Sequence, residues 1–177
     1  MDIDVVEGDI TEIDVEAVVN AANSRMRGGG GVDGAIHAAA GPRLYDECLE
    51  RFPDGLATGQ AAWTHGHLLR ARWVIHVVGP NYRAGERDRS LLVSCYTNAL
   101  RVADELDART VAFPLVSAGI YGWPRGDAIA AAVDTLRSTP TSVRASILVA
   151  FGRTAYEEIE AYLRSSEGPS AGRRPSG

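Results

Sequence analysis

Lysine is absent from this chain, and all 18 basic residues are arginine. Without a side-chain amine, Schiff-base and lysine-nucleophile mechanisms are excluded. Only two cysteines occur, Cys48 and Cys95, far apart and in no metal-like spacing. That usage points to a reduced protein without a disulfide framework. Positive charge is in short supply, and the formal net charge of −5 disfavours a nucleic-acid backbone as the main partner. A phosphate ligand is not excluded, because a few backbone amides hold one locally. No apolar run approaches membrane-spanning length. Met1-Asp-Ile-Asp carries neither the basic nor the apolar segment of a signal peptide, so the expectation is a cytoplasmic protein with no membrane contact.

The chain has 177 residues, 45% of them hydrophobic and 23% charged, enough for one domain with a sizeable core. That domain is expected over residues 1–164, with a disordered tail over 165–177, where almost nothing apolar is left to bury. A monomer is the default. The apolar runs predict strands at Ile3–Glu7, Ala17–Val19, Gln60–Thr64, Trp73–Val78, Val111–Leu115 and Ser146–Phe151. Helical periodicity predicts helices at Asp33–Ala40, Arg43–Arg51, Ser90–Leu106, Asp127–Leu136 and Ala155–Leu163. Strands alternating with helices indicate a layered α/β fold with a parallel or mixed sheet. Ligands of such sheets bind at the carboxyl ends of strands, where both glycine-rich segments fall.

The most informative segment is Asn20-Ala-Ala-Asn23-Ser-Arg-Met-Arg-Gly28-Gly-Gly-Gly31-Val-Asp33-Gly-Ala-Ile-His37. Consecutive glycines let backbone N–H groups approach a ligand closely. Joined to a helix N-terminus, they make an anion site suited to phosphate. Asp33 and His37 lie one helical turn apart and share a face if the helix starts near Val32. A phosphate cradle beside a carboxylate and an imidazole suggests a nucleotide-like ligand with chemistry next to it.

Five stretches then agree in order and spacing across roughly residues 3 to 163. They are Gly8-Asp9-Ile10-Thr11, Val19-Asn20-Ala-Ala-Asn23, Gly28 to His37, Val77-Val-Gly79-Pro80, and Ala112-Phe-Pro-Leu-Val-Ser117-Ala-Gly119-Ile-Tyr121-Gly122. On these the chain resembles the macrodomain family, and within it the MacroD-like ADP-ribosyl hydrolases of the O-acetyl-ADP-ribose deacetylase type. The resemblance implies a three-layer α/β/α fold around a six-stranded mixed sheet, with ADP-ribose in a cleft at the strand ends. It implies no metal and no cofactor.

The resemblance also assigns roles. Asp9 accepts the adenine exocyclic amine, with the Ile10 backbone beside it; the plain alternative for Asp9 is a helix N-cap. Gly30, Gly31 and Val32 form the first diphosphate loop, and Ser117, Ala118, Gly119, Ile120 and Tyr121 the second. Tyr121 covers the distal ribose. Phe151 packs near the adenine or is plain core. Asn20 and Asn23, placed just beyond the second strand, serve the distal ribose or only their own turn. Asp33 and His37 are assigned to catalysis, against the alternative of a helix-start residue and a satisfied helix histidine.

The implied reaction is removal of mono-ADP-ribose from Glu or Asp side chains of proteins, or deacetylation of O-acetyl-ADP-ribose. Asp33 either deprotonates the attacking water or only aligns it while a substrate phosphate takes the proton, since an unperturbed Asp titrates near ~3.9. The rival reading is a module that binds ADP-ribose on proteins and releases it unchanged. Removal of ADP-ribose from nucleic-acid bases is a weaker third, because related enzymes of that kind use a lysine.

The chain also departs from the family pattern. Ala118 stands where many relatives carry Thr. Leu56-Ala-Thr-Gly59 replaces a frequent Cys-Pro-Thr-Gly. Ala38 replaces a frequent Arg. Trp123 follows Gly122 where Tyr is usual, and is expected at the cleft mouth. His65-Gly-His67 supplies too few ligands for a closed zinc site and is expected in an exposed loop.

Overall fold

The computed structural model describes residues 1–167. Its elements in chain order are β1 (Asp2–Glu7), β2 (Ala17–Ala22), α1 (Gly31–Ala40), α2 (Pro42–Arg51), β3 (Ala61–His65), β4 (Trp73–Val78), α3 (Arg89–Glu105), β5 (Thr110–Phe113), α4 (Arg125–Ser138), β6 (Ala145–Ala150) and α5 (Arg153–Ser165). Short 3-10 turns occupy Ile10–Glu12 and Tyr82–Ala84. The strands form one six-stranded sheet in the order β1-β6-β5-β2-β4-β3. Every pairing is parallel except β3 against β4. The expected three-layer architecture with a mixed sheet is therefore the observed one.

Strand alternation splits the core into two layers. Val18, Val74, Ala112 and Val149 face Ile36, Ala40, Leu44 and Cys48 of α1 and α2. Ala17, Val19, Ile75, Val77, Val111, Phe113 and Leu148 face Leu92, Leu100, Ile129, Leu136 and Ile159 of α3, α4 and α5. Ile36 and Leu44 are completely buried, each contributing ~2 kcal/mol of apolar transfer. Among the helix ends, Gly41 closes α1 and Pro42 opens α2, so the two helices turn sharply around one dipeptide.

Several boundaries differ from the sequence expectation. β2 continues through Asn20 to Ala22, so Asn20 lies inside a strand rather than beyond it. A polar residue breaks the apolar pattern there, but Asn20 pairs with His76 of β4 and its Nδ2 meets Asp33 and His76, while its Oδ1 has no partner among the described residues. β5 ends at Phe113, two residues short of Leu115, because Pro114 supplies no N–H to a ladder. α4 begins at Arg125, before Asp127. α5 includes Ser165, the first residue assigned to the tail, and residues 168–177 of that tail lie outside the described residues.

Two further contacts fix the loops above the sheet. Arg27 donates to the carbonyls of Met26, Cys48, Phe52 and Pro53, clasping the start of the glycine run to the carbonyl-rich end of α2. Buried Tyr96 of α3 accepts from Val116 N at 3.0 Å, which anchors the start of the loop between β5 and α4.

Candidate functional site

The carboxyl ends of β1, β6, β5 and β2 converge on one rim of the sheet. Glu7 pairs with Ala150, and Gly8 N donates to Ala150 O at 3.1 Å, so Asp9 and Phe151 follow adjacent strand ends. Asp9 is the N-cap of the 3-10 turn, its Oδ1 accepting from Thr11 N at 2.9 Å and from Thr11 Oγ1 at 2.7 Å. The capping role is thus real, and Oδ2 remains without a protein donor among the described residues. Ile10 is a buried core residue. Phe151 is 96% exposed, which removes it from the core. Phe151 and Asp9 are thus both exposed at two adjacent strand ends.

The glycine run ends at the N-terminus of α1, with Gly30 as N-cap and Gly31 and Val32 in its first turn. The first amides of a helix have no intrahelical partner, so they are free to donate to an anion. The Ile120 side chain reaches across from the second loop. A Cβ built on Gly30 would lie 3.0 Å from Ile120 Cδ1, so the two loops approach each other closely there.

The second loop carries two unfavourable features at Ser117. Its backbone is left-handed, φ +63°, and its buried Oγ has no hydrogen-bond partner. Each costs on the order of 1 kcal/mol or more, and such strain concentrates at ligand-binding turns. Gly79 lies beneath, where a Cβ would sit 2.3 Å from Ser117 Oγ and 2.6 Å from Val116 Cγ1. The N–H groups of Ser117, Gly119, Ile120 and Tyr121 find no protein acceptor among the described residues, whereas those of Ala118 and Gly122 close local turns. Ala118 itself packs against the α3–α4 layer. Trp123 is not at the mouth of the cleft: it is buried, its N donates to Ser117 O at 2.8 Å and its Nε1 to Asp127 Oδ2 at 2.9 Å. It braces the loop from below.

Between the loops lie Asn20, Asn23, Asp33 and His37. Asp33 Oδ1 accepts from Asn20 Nδ2 at 2.8 Å, and His37 Nε2 stands 3.5 Å from the same oxygen. Asp33 is almost completely buried, and burial pushes its carboxyl above the ordinary carboxylate value, partly opposed by the Asn20 hydrogen bond and by His37. Asn23 does form its own turn, since Nδ2 donates to Gly28 O at 3.0 Å and Oδ1 accepts from Arg25 N at 3.1 Å. It nevertheless stays beside the carboxylate: a Cβ on Gly29 would lie 3.2 Å from both Asn23 Nδ2 and Asp33 Oδ2. Burial raises the Tyr121 hydroxyl, with Glu86 and Asp33 adding to the effect. His37 also lines an open cavity of about 460 Å³ with Arg27, Gly28, Gly29, Ala38 and Tyr45.

Two polar residues of this region escaped the sequence reading. His76 lies in the middle of β4 directly opposite Asn20, and its Nδ1 is 3.1 Å from Asn20 Nδ2. Its Nε2 is 2.9 Å from Thr64 Oγ1 on β3. Both side chains are fully buried, and burial lowers the His76 ring to about 3, so it is neutral. The available signal was a lone His in an otherwise apolar run, Trp73-Val-Ile-His76-Val-Val78, which requires a buried partner. His65 and His67 do not form a free loop pair, because both ring systems engage Glu47 of α2, at 3.1 and 2.8 Å.

Comparison with known proteins agrees with this geometry. The macro domain family profile matches residues 19–132. A macro domain-containing protein of Streptomyces coelicolor is 51% identical over 165 residues, covering 91% of this chain and 98% of that protein. The Oceanobacillus iheyensis macrodomain solved with ADP superposes with a TM-score of 0.85 at 35% identity, over 91% of this chain and 89% of that one. The Trypanosoma brucei macrodomain solved with ADP-ribose superposes with a TM-score of 0.82 at 38% identity, over 91% of this chain and 68% of that one. The chain belongs to the macro domain family.

Proposed function

We propose that this chain binds ADP-ribose and hydrolyses the ester that joins its distal ribose to an acyl group, either a Glu or Asp side chain of a modified protein or acetate. The carrying observation is the buried Asp33 carboxylate, held by Asn20 at 2.8 Å, next to the helix N-terminus that follows the glycine run. A module that only binds ADP-ribose has no use for a buried carboxylate whose ionisation burial opposes.

In this reading the adenine lies between Asp9 and Phe151, with the free Oδ2 of Asp9 accepting its exocyclic amine. The diphosphate spans the first amides of α1 at Gly31 and Val32, and the free amides of Ser117, Gly119, Ile120 and Tyr121. No lysine or metal is needed, since preorganised backbone donors hold the charge. Fixing the diphosphate fixes the distal ribose against Asn23, Tyr121 and Asp33, which supplies the orientation on which the reaction depends. The neighbouring cavity beside His37 offers room for the protein that carries the modification.

Water attacks the acyl carbon, the acyl–oxygen bond breaks, and the ribose oxygen leaves as a hydroxyl after receiving a proton. The proton lost by water passes to Asp33 or to a substrate phosphate. Its raised proton affinity moves Asp33 toward the strength that a base needs at neutral pH. His37, 3.5 Å from the carboxylate, favours its ionised form and so offsets part of the effect of burial.

The test is release of ADP-ribose from a protein modified on glutamate, run beside release of acetate from O-acetyl-ADP-ribose. Turnover of either supports the hydrolase reading, and the ratio of rates assigns the preferred acyl group. Tight binding with neither product released makes the chain a reader.

A further inference from the structure

We propose that His76 is a positioning residue for Asp33, acting through the side-chain amide of Asn20. The inference rests on the hydrolase reading above. Thr64, His76, Asn20 and Asp33 form one buried chain of hydrogen bonds, running from β3 through β4 and β2 to α1. Strand alternation places Thr64, His76 and Asn20 on the same face of the sheet, beneath α1 and α2.

With Asn20 Nδ2 turned toward both partners, the proton arithmetic of this chain runs one way. Asn20 Nδ2 carries two hydrogens, and its two neighbours are Asp33 Oδ1 and His76 Nδ1. An amide donates both, so His76 Nδ1 is an acceptor and carries no proton. The ring is neutral, hence Nε2 bears the proton and donates it to Thr64 Oγ1. If the ring took the other tautomer, Nδ1–H would meet an N–H of Asn20. The amide would then turn its oxygen toward His76 and lose its bond to the carboxylate. The Asn20 amide thus goes with one His76 tautomer, Thr64 Oγ1 accepts the proton that this tautomer carries on Nε2, and the amide fixes the rotation of the Asp33 carboxyl. For a buried carboxyl, a misdirected amide removes the Asn20 hydrogen bond and makes Asp33 harder to ionise. The opposite atom of the amide, Asn20 Oδ1, has no partner among the described residues, so among them Asp33 and His76 alone hold that orientation.

The charged and titratable groups around this pair are few. His37 and Cys48 lie near Asp33, with Tyr121 across the cleft. His37, Glu47 and Arg51 surround His76. Among the described residues none of these groups hydrogen-bonds the Asn20 amide, whose Nδ2 meets only Asp33 and His76.

The test combines three variants with a spectroscopic reading on the full chain. Long-range 1H–15N correlation of wild type should show His76 neutral, with the proton on Nε2. His76→Phe should lower turnover of a glutamate-linked ADP-ribosyl protein by about tenfold or more, leave ADP-ribose affinity within about threefold, and move the acid limb of the pH–rate profile to higher pH. His76→Asn retains an acceptor at the Nδ1 position and should recover most of the turnover. Thr64→Val keeps the shape of the side chain, leaves the buried Nε2 proton without its acceptor and should show an intermediate loss, which preserves the test if His76→Phe does not fold. A proton on Nδ1 overturns the proposal. So do wild-type rates and an unmoved pH profile in both Thr64→Val and His76→Phe, while wild-type release leaves the hydrolase reading standing. No release by wild type overturns that reading instead.

Discussion

Asn20 Nδ2 and Asp33 Oδ1 are 2.8 Å apart inside the protein, joining the central strand β2 to the first turn of α1. This bond is the junction between scaffold and chemistry. Asn20→Ala should reduce ADP-ribose release by about 100-fold while leaving ADP-ribose affinity within about threefold, because the diphosphate and adenine contacts lie elsewhere. It should also cost ~1–3 kcal/mol of stability, since Asp33 and His76 lose a buried partner together. Steady-state rates, calorimetry and denaturant melts separate the three effects.

Asp33 is retained at the expense of stability. Its folded-state proton affinity is raised, so the native state binds the proton more tightly than the unfolded chain. Stability therefore falls as pH rises from the ordinary carboxylate value through the folded one. Asp33→Asn should stabilise the protein at pH 7 by about 1 kcal/mol while abolishing release. The advantage should vanish below pH ~4, where the wild-type group is protonated in both states. Thermal melts of both proteins across that range check the sign.

Gly79 is a packing requirement of the second loop. Gly79→Ala places a methyl 2.3 Å from Ser117 Oγ, which forces the loop to move. ADP-ribose affinity should fall by about tenfold or more, with a stability loss of ~1–3 kcal/mol from overpacking. Titration calorimetry and a denaturant melt on the same preparation read both.

Phe151 has the opposite profile. At 96% exposure its ring adds nothing to the core, so Phe151→Ala should leave the melting temperature nearly unchanged. Loss of contact with the adenine should weaken ADP-ribose by ~1–2 kcal/mol, and should leave affinity for ribose 5-phosphate, which has no base, untouched. Equal weakening of both ligands would remove Phe151 from the adenine site.

Much of this architecture was legible in the chain. The apolar run of β4 and the glycine-to-helix transition are set by local chemistry: β4 forms at the predicted bounds, and α1 ends at Ala40 as predicted but starts at Gly31, two residues before Asp33. Asp33 and His37 meet because a helix brings residues one turn apart onto one face. What could not be read locally depends on distant partners. Asn20 looks like a turn residue until β4 supplies His76 opposite it. Trp123 looks like a rim aromatic, but Asp127 and the Ser117 carbonyl draw it inward. The histidines at 65 and 67 look solvated until α2 brings Glu47 between them. Polar side chains in mainly apolar surroundings reveal that a partner exists, and only the fold says which one.

The most direct measurement of the central claim is single-turnover release of ADP-ribose from a glutamate-modified protein, comparing wild type with Asp33→Ala and measuring ADP-ribose binding of both by calorimetry. Release by wild type, with binding retained and release lost in the variant, is the predicted result. Equal release by both proteins would contradict the role of Asp33, and binding without release by wild type would contradict the assignment of this chain as a hydrolase.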